Sequence, residues 1–288
     1  MREGPSQTAL AVCAFRAREQ HLPAAQRLLD DPYAVRFLPP ALARGVALFG
    51  GRTWTAADGV ASGVATYAVS RHRLFDGWLA EGLRDGVQQV VLVGAGYDSR
   101  AWRLRDLLAE RVLFEVDHPH TATRKAWCID SSRDTFTDDA RVAVQVDLAA
   151  QPLGPALLGA GFRPELPTTW IWEGVSMYLT PDAVLAAVRS MAELSAPRSE
   201  LLMDLGMPSD ARGWTATRLR IGGRLLGVLG EPIRSGYSVE AATSAFATVG
   251  GSVIEVVDGD QIPARIGHPD RTCAPMGWCA RVGLGAAG

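Results

Sequence analysis

The chain has 288 residues, of which 48% are hydrophobic and 21% are charged, and these fractions are typical of globular proteins. Its 29 basic and 31 acidic residues give a net charge of −2, which argues against a nucleic-acid partner and against attachment to a membrane surface. The apolar runs are too short to cross a bilayer, and the start MREGPSQTAL has no signal-peptide pattern. We therefore expect a cytoplasmic protein whose partner is a small molecule.

The four cysteines (Cys13, Cys128, Cys273 and Cys279) include no CxxC pair, which favours reduced thiols. Cys273, Cys279 and His268 lie near one another in the sequence, but their spacing matches no common zinc pattern. We predict no metal site.

Residues 1–86 carry apolar side chains at helical spacing. The pattern predicts helices over 8–20 and, after Pro23, over 26–37, and it continues from 54 to 83. We therefore expect a helical N-terminal cover, which forms one structural unit with the remainder of the chain.

From residue 89 the pattern changes to short, β-branched apolar runs, which are typical of buried parallel strands. After the first run, VVLVGAG, similar runs occur at 111–117, 141–147, 168–174 and 199–204. Helical segments, for example 121–128 and 181–194, separate them. This alternation predicts an α/β, Rossmann-like, doubly wound core over 87–288.

Two further features complete the predicted fold. The stretch from 206 to 236 interrupts the alternation, so we expect a helical insertion at about 206–245. Two last runs, 252–258 and 276–282, are expected to pair antiparallel. The sequence thus predicts a mostly parallel, seven-stranded sheet, with the insertion before its last two strands.

Gly94, Ala95 and Gly96 follow the first predicted strand. Glycines there let a ligand approach the backbone, at the sheet edge where open α/β folds bind ligands. Position 99 is serine where the dinucleotide fingerprint has its third glycine, which weakens a pyrophosphate-binding interpretation. A GxG motif alone also occurs in tight turns without a ligand.

Acidic residues end three successive predicted strands: Asp117, Asp147 and Glu173. Asp117 follows the glycine turn by about twenty residues, the separation at which an acid accepts hydrogen bonds from both ribose hydroxyls of a nucleoside. Such an acid occurs in NAD enzymes and in methyltransferases alike, and strand-end aspartates also cap helices. Together the three acids favour a ligand that combines a nucleoside with a cationic group.

Four segments, VVLVGAGYDSRAWRL, FEVDHPHTATRKA, VDLAAQPLGPALLGAGF and PTTWIWEGVSMYLTPD, resemble the leucine carboxyl methyltransferase family. More narrowly, they resemble its bacterial and polyketide O-methyltransferase branch. RAREQHLPAAQRLLDDPYA, SRHRLFDGWL and MGWCARV extend the resemblance over nearly the whole chain. The resemblance implies a class I methyltransferase that uses S-adenosylmethionine.

The resemblance also implies the cofactor contacts. It pairs Arg71 with the methionine carboxylate, places Arg16 near a second basic contact, and assigns Glu173 to the methionine moiety. The remaining residues are the cofactor turn (Gly94, Ala95, Gly96), the ribose acid (Asp117) and the adenine contacts (Asp147, Leu148).

The chain departs from the family pattern at three places. Tyr97 and Ser99 stand where relatives often have an aliphatic residue and threonine, and Ala149 replaces a frequent arginine. The stretch 206–237 has no recognisable counterpart, so the resemblance does not transfer an acceptor.

The predicted function is S-adenosylmethionine-dependent O-methylation of a carboxyl or hydroxyl group of a small molecule, in particular a natural product. Two alternatives stay open: a cofactor-binding, methyltransferase-like protein that catalyses a different reaction, and an NAD-type oxidoreductase. We assign no catalytic residue, since His118, His120 and Tyr178 are interpreted as loop or packing residues. Oligomeric state is not encoded in any pattern that we recognise.

Overall fold

The computed structural model describes residues 6–50, 63–137, 141–148, 150–206, 234–271, 273 and 276–285. Seven strands form one sheet in the order β3-β2-β1-β4-β5-β7-β6. Their bounds are β1 Gln89–Val93, β2 Val112–Asp117, β3 Arg141–Gln145, β4 Thr168–Trp172, β5 Ser199–Gly206, β6 Ser252–Asp258 and β7 Gly277–Leu284.

The sheet is parallel from β3 through β5. β7 runs antiparallel between β5 and β6. This arrangement confirms the predicted fold class, including the antiparallel pairing of the last two strands. The strand order reverses between β1 and β4, and a crevice opens at such a reversal on the carboxyl side of the sheet.

The described helices are α1 Gln7–Glu19, α2 Ala34–Phe37, α3 Pro40–Phe49, α4 Val64–Arg84, α5 Arg100–Arg103, α6 Pro119–Asp130, α7 Leu153–Gly159, α8 Pro181–Glu193, α9 Val239–Ala247 and α10 Ile262–Arg265. Ser6 and Thr180 cap α1 and α8 by accepting backbone N–H bonds. Of these helices, none has both the length and the apolar character needed to span a bilayer.

The predicted helix over 26–37 is wrong. The structure has a 3₁₀ turn at Ala24–Gln26 and then only the short helix α2. Pro32 lacks a backbone donor and disfavours helical geometry in the residue before it. The carboxylate of Asp31 instead accepts hydrogen bonds from the backbone nitrogens of Tyr33 and Ala34, which begins a new helix.

Two other predictions fall partly outside the described residues. The predicted helical run 54–83 is observed from Val64 onward as α4, and positions 54–62 are not described. Positions 207–233 of the predicted insertion also lie outside the described residues, and α9 follows them.

Apolar side chains cover both faces of the sheet, as expected for parallel strands buried on both sides. Val90 and Leu92 of β1 belong to a cluster that also contains Phe37 and Trp78 of the helical cover. Val91 and Val93 point to the other face, into a second cluster with the helices α8 and α9. The cover therefore shares an apolar cluster with β1, at the end of which the glycine turn begins.

Candidate functional site

A cleft of about 910 Å³ opens at the carboxyl ends of β1, β2 and β4. Its floor is the predicted glycine turn, 94–96, and its sides include Asp117 and Glu173. Arg16 of α1 and Arg71 of α4 contribute to its wall from the helical cover. The fold thus brings most of the predicted site residues to one cavity at the strand-order reversal.

The glycine turn and Asp117 are hydrogen-bonded to each other. Gly94 and Gly96 both have positive φ, at 71° and 53°, a backbone region that side chains with a Cβ rarely adopt. Asp117 accepts a 2.5 Å hydrogen bond from the Gly96 nitrogen through Oδ2 and a 2.7 Å bond from the His118 nitrogen through Oδ1. Each oxygen keeps a second lone pair, so the carboxylate can also accept from two ligand hydroxyls.

Gly94→Ala is expected to lower the free energy of unfolding by about 1–2 kcal/mol, because the new Cβ strains a left-handed backbone. That Cβ would also lie 2.7 Å from Cγ2 of Val175, inside the cleft. Thermal denaturation measures the loss. Gly159→Ala is the matched control, since Gly159 has open space around its Cβ position, and an equal loss in both variants would contradict the argument.

The protonation of Asp117 should make cofactor binding depend on pH. Burial raises the pKa of Asp117, although the backbone hydrogen bonds from Gly96 and His118 oppose this. The acceptor form is the ionised one, so affinity for S-adenosylmethionine should be full above the raised pKa and fall as the pH drops through it. Calorimetric titration between pH 4.5 and 8 tests this, and Asp117→Asn should abolish the dependence. A fall of the same size in that variant would assign the titration to another group.

Arg71 lies between two carboxylates from different strands. Its Nε donates to Oε1 of Glu173 at 3.1 Å, and its Nη1 donates to Oδ2 of Asp204 at 2.6 Å. Burial opposes its charge, but Asp204 and Glu173 together raise the pKa of Arg71 well above its usual value. Nη2 lies beside Gly174 at the cleft, and the guanidinium also lies over the ring of Tyr67, 5.4 Å from its centroid. Arg71 is therefore a fixed cation whose outer nitrogen can bind an anion.

Glu173 is held ionised by its neighbours. Its Oε2 accepts 3.0 Å hydrogen bonds from Nδ1 of His72 and Nη2 of Arg100. Burial by itself would raise the pKa of Glu173, but His72, Arg100 and Arg71 hold it well below its usual range. Since burial and Arg100 lower the pKa of His72 itself, we attribute the stabilising charge to the two arginines. Glu173 therefore keeps a negative charge next to the cleft.

A buried ion network behind Glu173 was not predicted. Arg100 donates to the carboxylates of Asp98 and Asp76, and Arg103 donates to Asp76 and, at 3.0 Å, to Nε2 of His72. His72 therefore accepts at Nε2 and donates to Glu173 at Nδ1. These residues lie in the segments SRHRLFD and GYDSRAWR that carry the family resemblance, so that resemblance was the available signal.

The network also explains why three potential metal ligands do not form a favourable metal site. Ligand atoms of His72, Asp98 and Glu173 lie within 4.8 Å of one another. The guanidinium of Arg100, however, already donates to both carboxylates. A cation there would be repelled by a charge that the protein itself supplies.

The remaining predicted site residues are Arg16, in the wall of the cleft, and Asp147 and Leu148, outside its lining. Arg16 is buried, and its guanidinium donates to the carbonyl of Tyr97 and lies 3.1 Å from Oδ2 of Asp31, so it ties α1 to the glycine turn. Asp147 and Leu148 follow β3 and are not among the residues that line the cleft. The Asp147 carboxylate lies 3.9 Å from Nε2 of His118, which does line it.

The sequence model of the leucine carboxyl methyltransferases matches residues 9–192. This chain belongs to the leucine carboxyl methyltransferase family. The predicted family is therefore confirmed, and the predicted use of S-adenosylmethionine is confirmed at the level of that family.

Three relatives are named as candidate S-adenosyl-L-methionine-dependent methyltransferases. The protein from Saccharopolyspora erythraea is 35% identical over 201 residues, which cover 68% of this chain and 66% of the relative. That from Frankia alni is 36% identical over 217 residues, covering 75% and 73%. That from Streptomyces coelicolor is 35% identical over 226 residues, covering 77% and 72%.

Solved structures support the fold. A DUF574 family protein from Streptomyces avermitilis has a TM-score of 0.61 at 13% identity, covering 98% of both chains. A candidate methyltransferase from Thermobifida fusca has a TM-score of 0.60 at 16% identity, covering 98% of this chain and 96% of the other. At these identities the likeness shows the fold alone.

Proposed function

We propose that this family member transfers a methyl group from S-adenosylmethionine to an oxygen atom of a small molecule, in particular a natural product. One observation carries the proposal: an anion-binding nitrogen on Arg71, an ionised Glu173, a glycine turn and the Asp117 acceptor all line one cleft. The methionine part of S-adenosylmethionine has a carboxylate and an ammonium group, and its nucleoside has a ribose diol. Each of these groups has a chemically matched partner in the cleft.

Each residue of the cleft matches one part of S-adenosylmethionine in charge or shape. Nη2 of Arg71 suits the methionine carboxylate, Glu173 suits the ammonium group, and Asp117 suits the ribose hydroxyls. Position 94 has no room for a Cβ, which would lie 2.7 Å from Cγ2 of Val175, so glycine is the residue that fits this part of the cleft floor. When bound, S-adenosylmethionine supplies an electrophilic methyl group on a sulfonium, and the protein's task is to orient the acceptor and exclude water.

A carboxylate acceptor fits the cleft better than a hydroxyl. Within the described part of its wall, His72 is fixed between Glu173 and Arg103, and Asp98 is paired with Arg100. Neither side chain is thus free to remove a proton from a hydroxyl, and His118, which also lines the cleft, directly follows Asp117, the proposed ribose acceptor. A carboxylate is already ionised near pH 7 and needs no such base. The apolar lining side chains Val64, Val175, Met177 and Met276 favour an acceptor with an apolar body.

The structure argues against the NAD-type alternative. A pyrophosphate would bind at the amino terminus of the helix after the glycine turn. There, α5 has only four residues, and the Arg100 nitrogen already donates to Oδ1 of Asp98 at 2.7 Å. Ser99, at the third glycine position, donates its hydroxyl to Oδ2 of Asp31.

Calorimetry comes first, with titrations of S-adenosylmethionine, S-adenosylhomocysteine and NADH. Micromolar binding of the first two and none of NADH supports the proposal, whereas a preference for NADH would overturn it. The protein is then incubated with S-adenosylmethionine labelled in its methyl group and a panel of apolar carboxylic acids and phenols. Label that alkaline hydrolysis releases as methanol identifies a methyl ester, and base-stable label identifies an ether. An altered acceptor without S-adenosylhomocysteine formation would instead support the non-methylating alternative.

A further inference from the structure

Asp204 connects two parts of the candidate site without lining it. It lies near the end of β5 and is fully buried. Its Oδ2 accepts from Nη1 of Arg71 on α4, and its Oδ1 accepts from the Gly174 nitrogen after β4, both at 2.6 Å. One carboxylate therefore holds a side chain and a backbone amide that come from separate elements.

The two groups that Asp204 holds face each other at the cleft. Gly174 has a φ of 70°, and a Cβ on it would lie 3.0 Å from Nη2 of Arg71. The position of Nη2 relative to the loop after β4 is thus set by a shared anchor. Glu173 accepts the hydrogen bond from Nε of Arg71, and Asp204 accepts the one from Nη1. Asp204 therefore fixes the end of the guanidinium that Glu173 does not hold.

The buried Asp204 carboxylate is not expected to add much to the free energy of unfolding. Removing a carboxylate and a guanidinium from water costs about as much as their attraction returns, and apolar replacements of buried pairs are often neutral or stabilising. Burial indeed raises the pKa of Asp204 in spite of the neighbouring Arg71. A role in orienting Arg71 accounts for a charge that stability alone does not require.

We infer that Asp204 is a positioning residue for the methionine end of the cofactor, acting through Arg71 and the Gly174 amide. The inference rests on the proposed function, since it presumes that Arg71 binds the methionine carboxylate. It predicts that loss of Asp204 impairs recognition of the amino-acid part of the cofactor and leaves recognition of the nucleoside intact.

The test compares two ligands in Asp204→Asn. S-Adenosylmethionine has the amino-acid part, and 5′-methylthioadenosine has the same nucleoside without it. The asparagine keeps an oxygen for the Gly174 nitrogen but offers Arg71 an amide in place of a charged acceptor. We expect the Kd for S-adenosylmethionine to rise about tenfold, with the Kd for 5′-methylthioadenosine changed by less than about twofold.

Glu200→Gln is the matched control. Glu200 is also a buried carboxylate of β5, four residues earlier and therefore on the same face of the strand. Its carboxylate accepts hydrogen bonds from Arg281 and Thr169, away from the cleft. Its replacement should therefore change the Kd of neither S-adenosylmethionine nor 5′-methylthioadenosine. If Asp204→Asn does not fold, Asp204→Glu, which keeps the charge but displaces Arg71, should show the same selective loss.

The outcomes separate this inference from the proposed function. If the unmodified protein binds no S-adenosylmethionine, the proposed function is wrong and the inference falls with it. If the unmodified protein binds both ligands and Asp204→Asn weakens both equally, or neither, the role of Asp204 is structural only and the inference alone is overturned.

Discussion

Arg71→Ala is expected to weaken S-adenosylmethionine binding by about 2–3 kcal/mol, because a charge-assisted hydrogen bond to the methionine carboxylate is lost. The affinity for 5′-methylthioadenosine should stay nearly unchanged, since that nucleoside has no carboxylate. Titration calorimetry with both ligands measures the difference. Arg73→Ala is the matched control, because Arg73 lies on α4 two residues away and is exposed.

The same substitution leaves the carboxylates of Glu173 and Asp204 buried without Arg71 between them. We therefore expect a loss of stability as well, of about 3 kcal/mol or more. Arg71→Lys keeps the charge but cannot reproduce the planar fork, so it should fold better and still bind the cofactor weakly. Wild-type affinity in Arg71→Lys and Arg71→Ala alike would mean that the methionine carboxylate is held elsewhere.

Asp117→Ala is expected to weaken binding of S-adenosylmethionine by about 1–3 kcal/mol, because paired hydrogen bonds from the ribose hydroxyls to a charged acceptor are lost. Unlike Arg71→Ala, Asp117→Ala should weaken the binding of 5′-methylthioadenosine by about as much as that of S-adenosylmethionine, because both ligands have the ribose. Calorimetry again gives both values. Asp130→Ala, at an exposed position at the end of α6, controls for the loss of a negative charge.

Asp117 also receives hydrogen bonds from Gly96 and His118, so its removal loosens the glycine turn. Asp117→Asn retains one acceptor oxygen, so it separates the loss of ribose binding from the loosening of the turn. We expect this variant to bind S-adenosylmethionine with an affinity between those of the wild type and Asp117→Ala, and to keep most of the wild-type stability. Unchanged affinity for either ligand in Asp117→Ala would remove the ribose assignment.

Most of the fold could be predicted because its signals are local. A β-branched run such as 89–93 has to be buried on both sides, and glycines after it allow the left-handed backbone that Gly94 and Gly96 adopt. Acids at the ends of β2 and β4 reach one edge of the sheet simply because parallel strands point the same way. The helical pattern over 26–37 failed for an equally local reason, since Pro32 and the capping carboxylate of Asp31 outweigh periodicity.

The partners of the site residues could not be predicted in the same way. Arg71 and Asp204 are separated by 133 positions and Arg100 and Glu173 by 73, and no local pattern encodes such a contact. Their pairing follows from strand order, which brings β4 and β5 side by side and packs α4 across them.

The amino-acid sequence by itself determined the α/β class, the glycine turn, the acids at the strand ends and the family. Only the tertiary structure decided that Glu173 lies between two arginines and that the guanidinium of Arg71 is held by the carboxylates of Glu173 and Asp204. The physical reason is that the charge state and orientation of a buried group depend on neighbours that the fold brings together from distant parts of the chain.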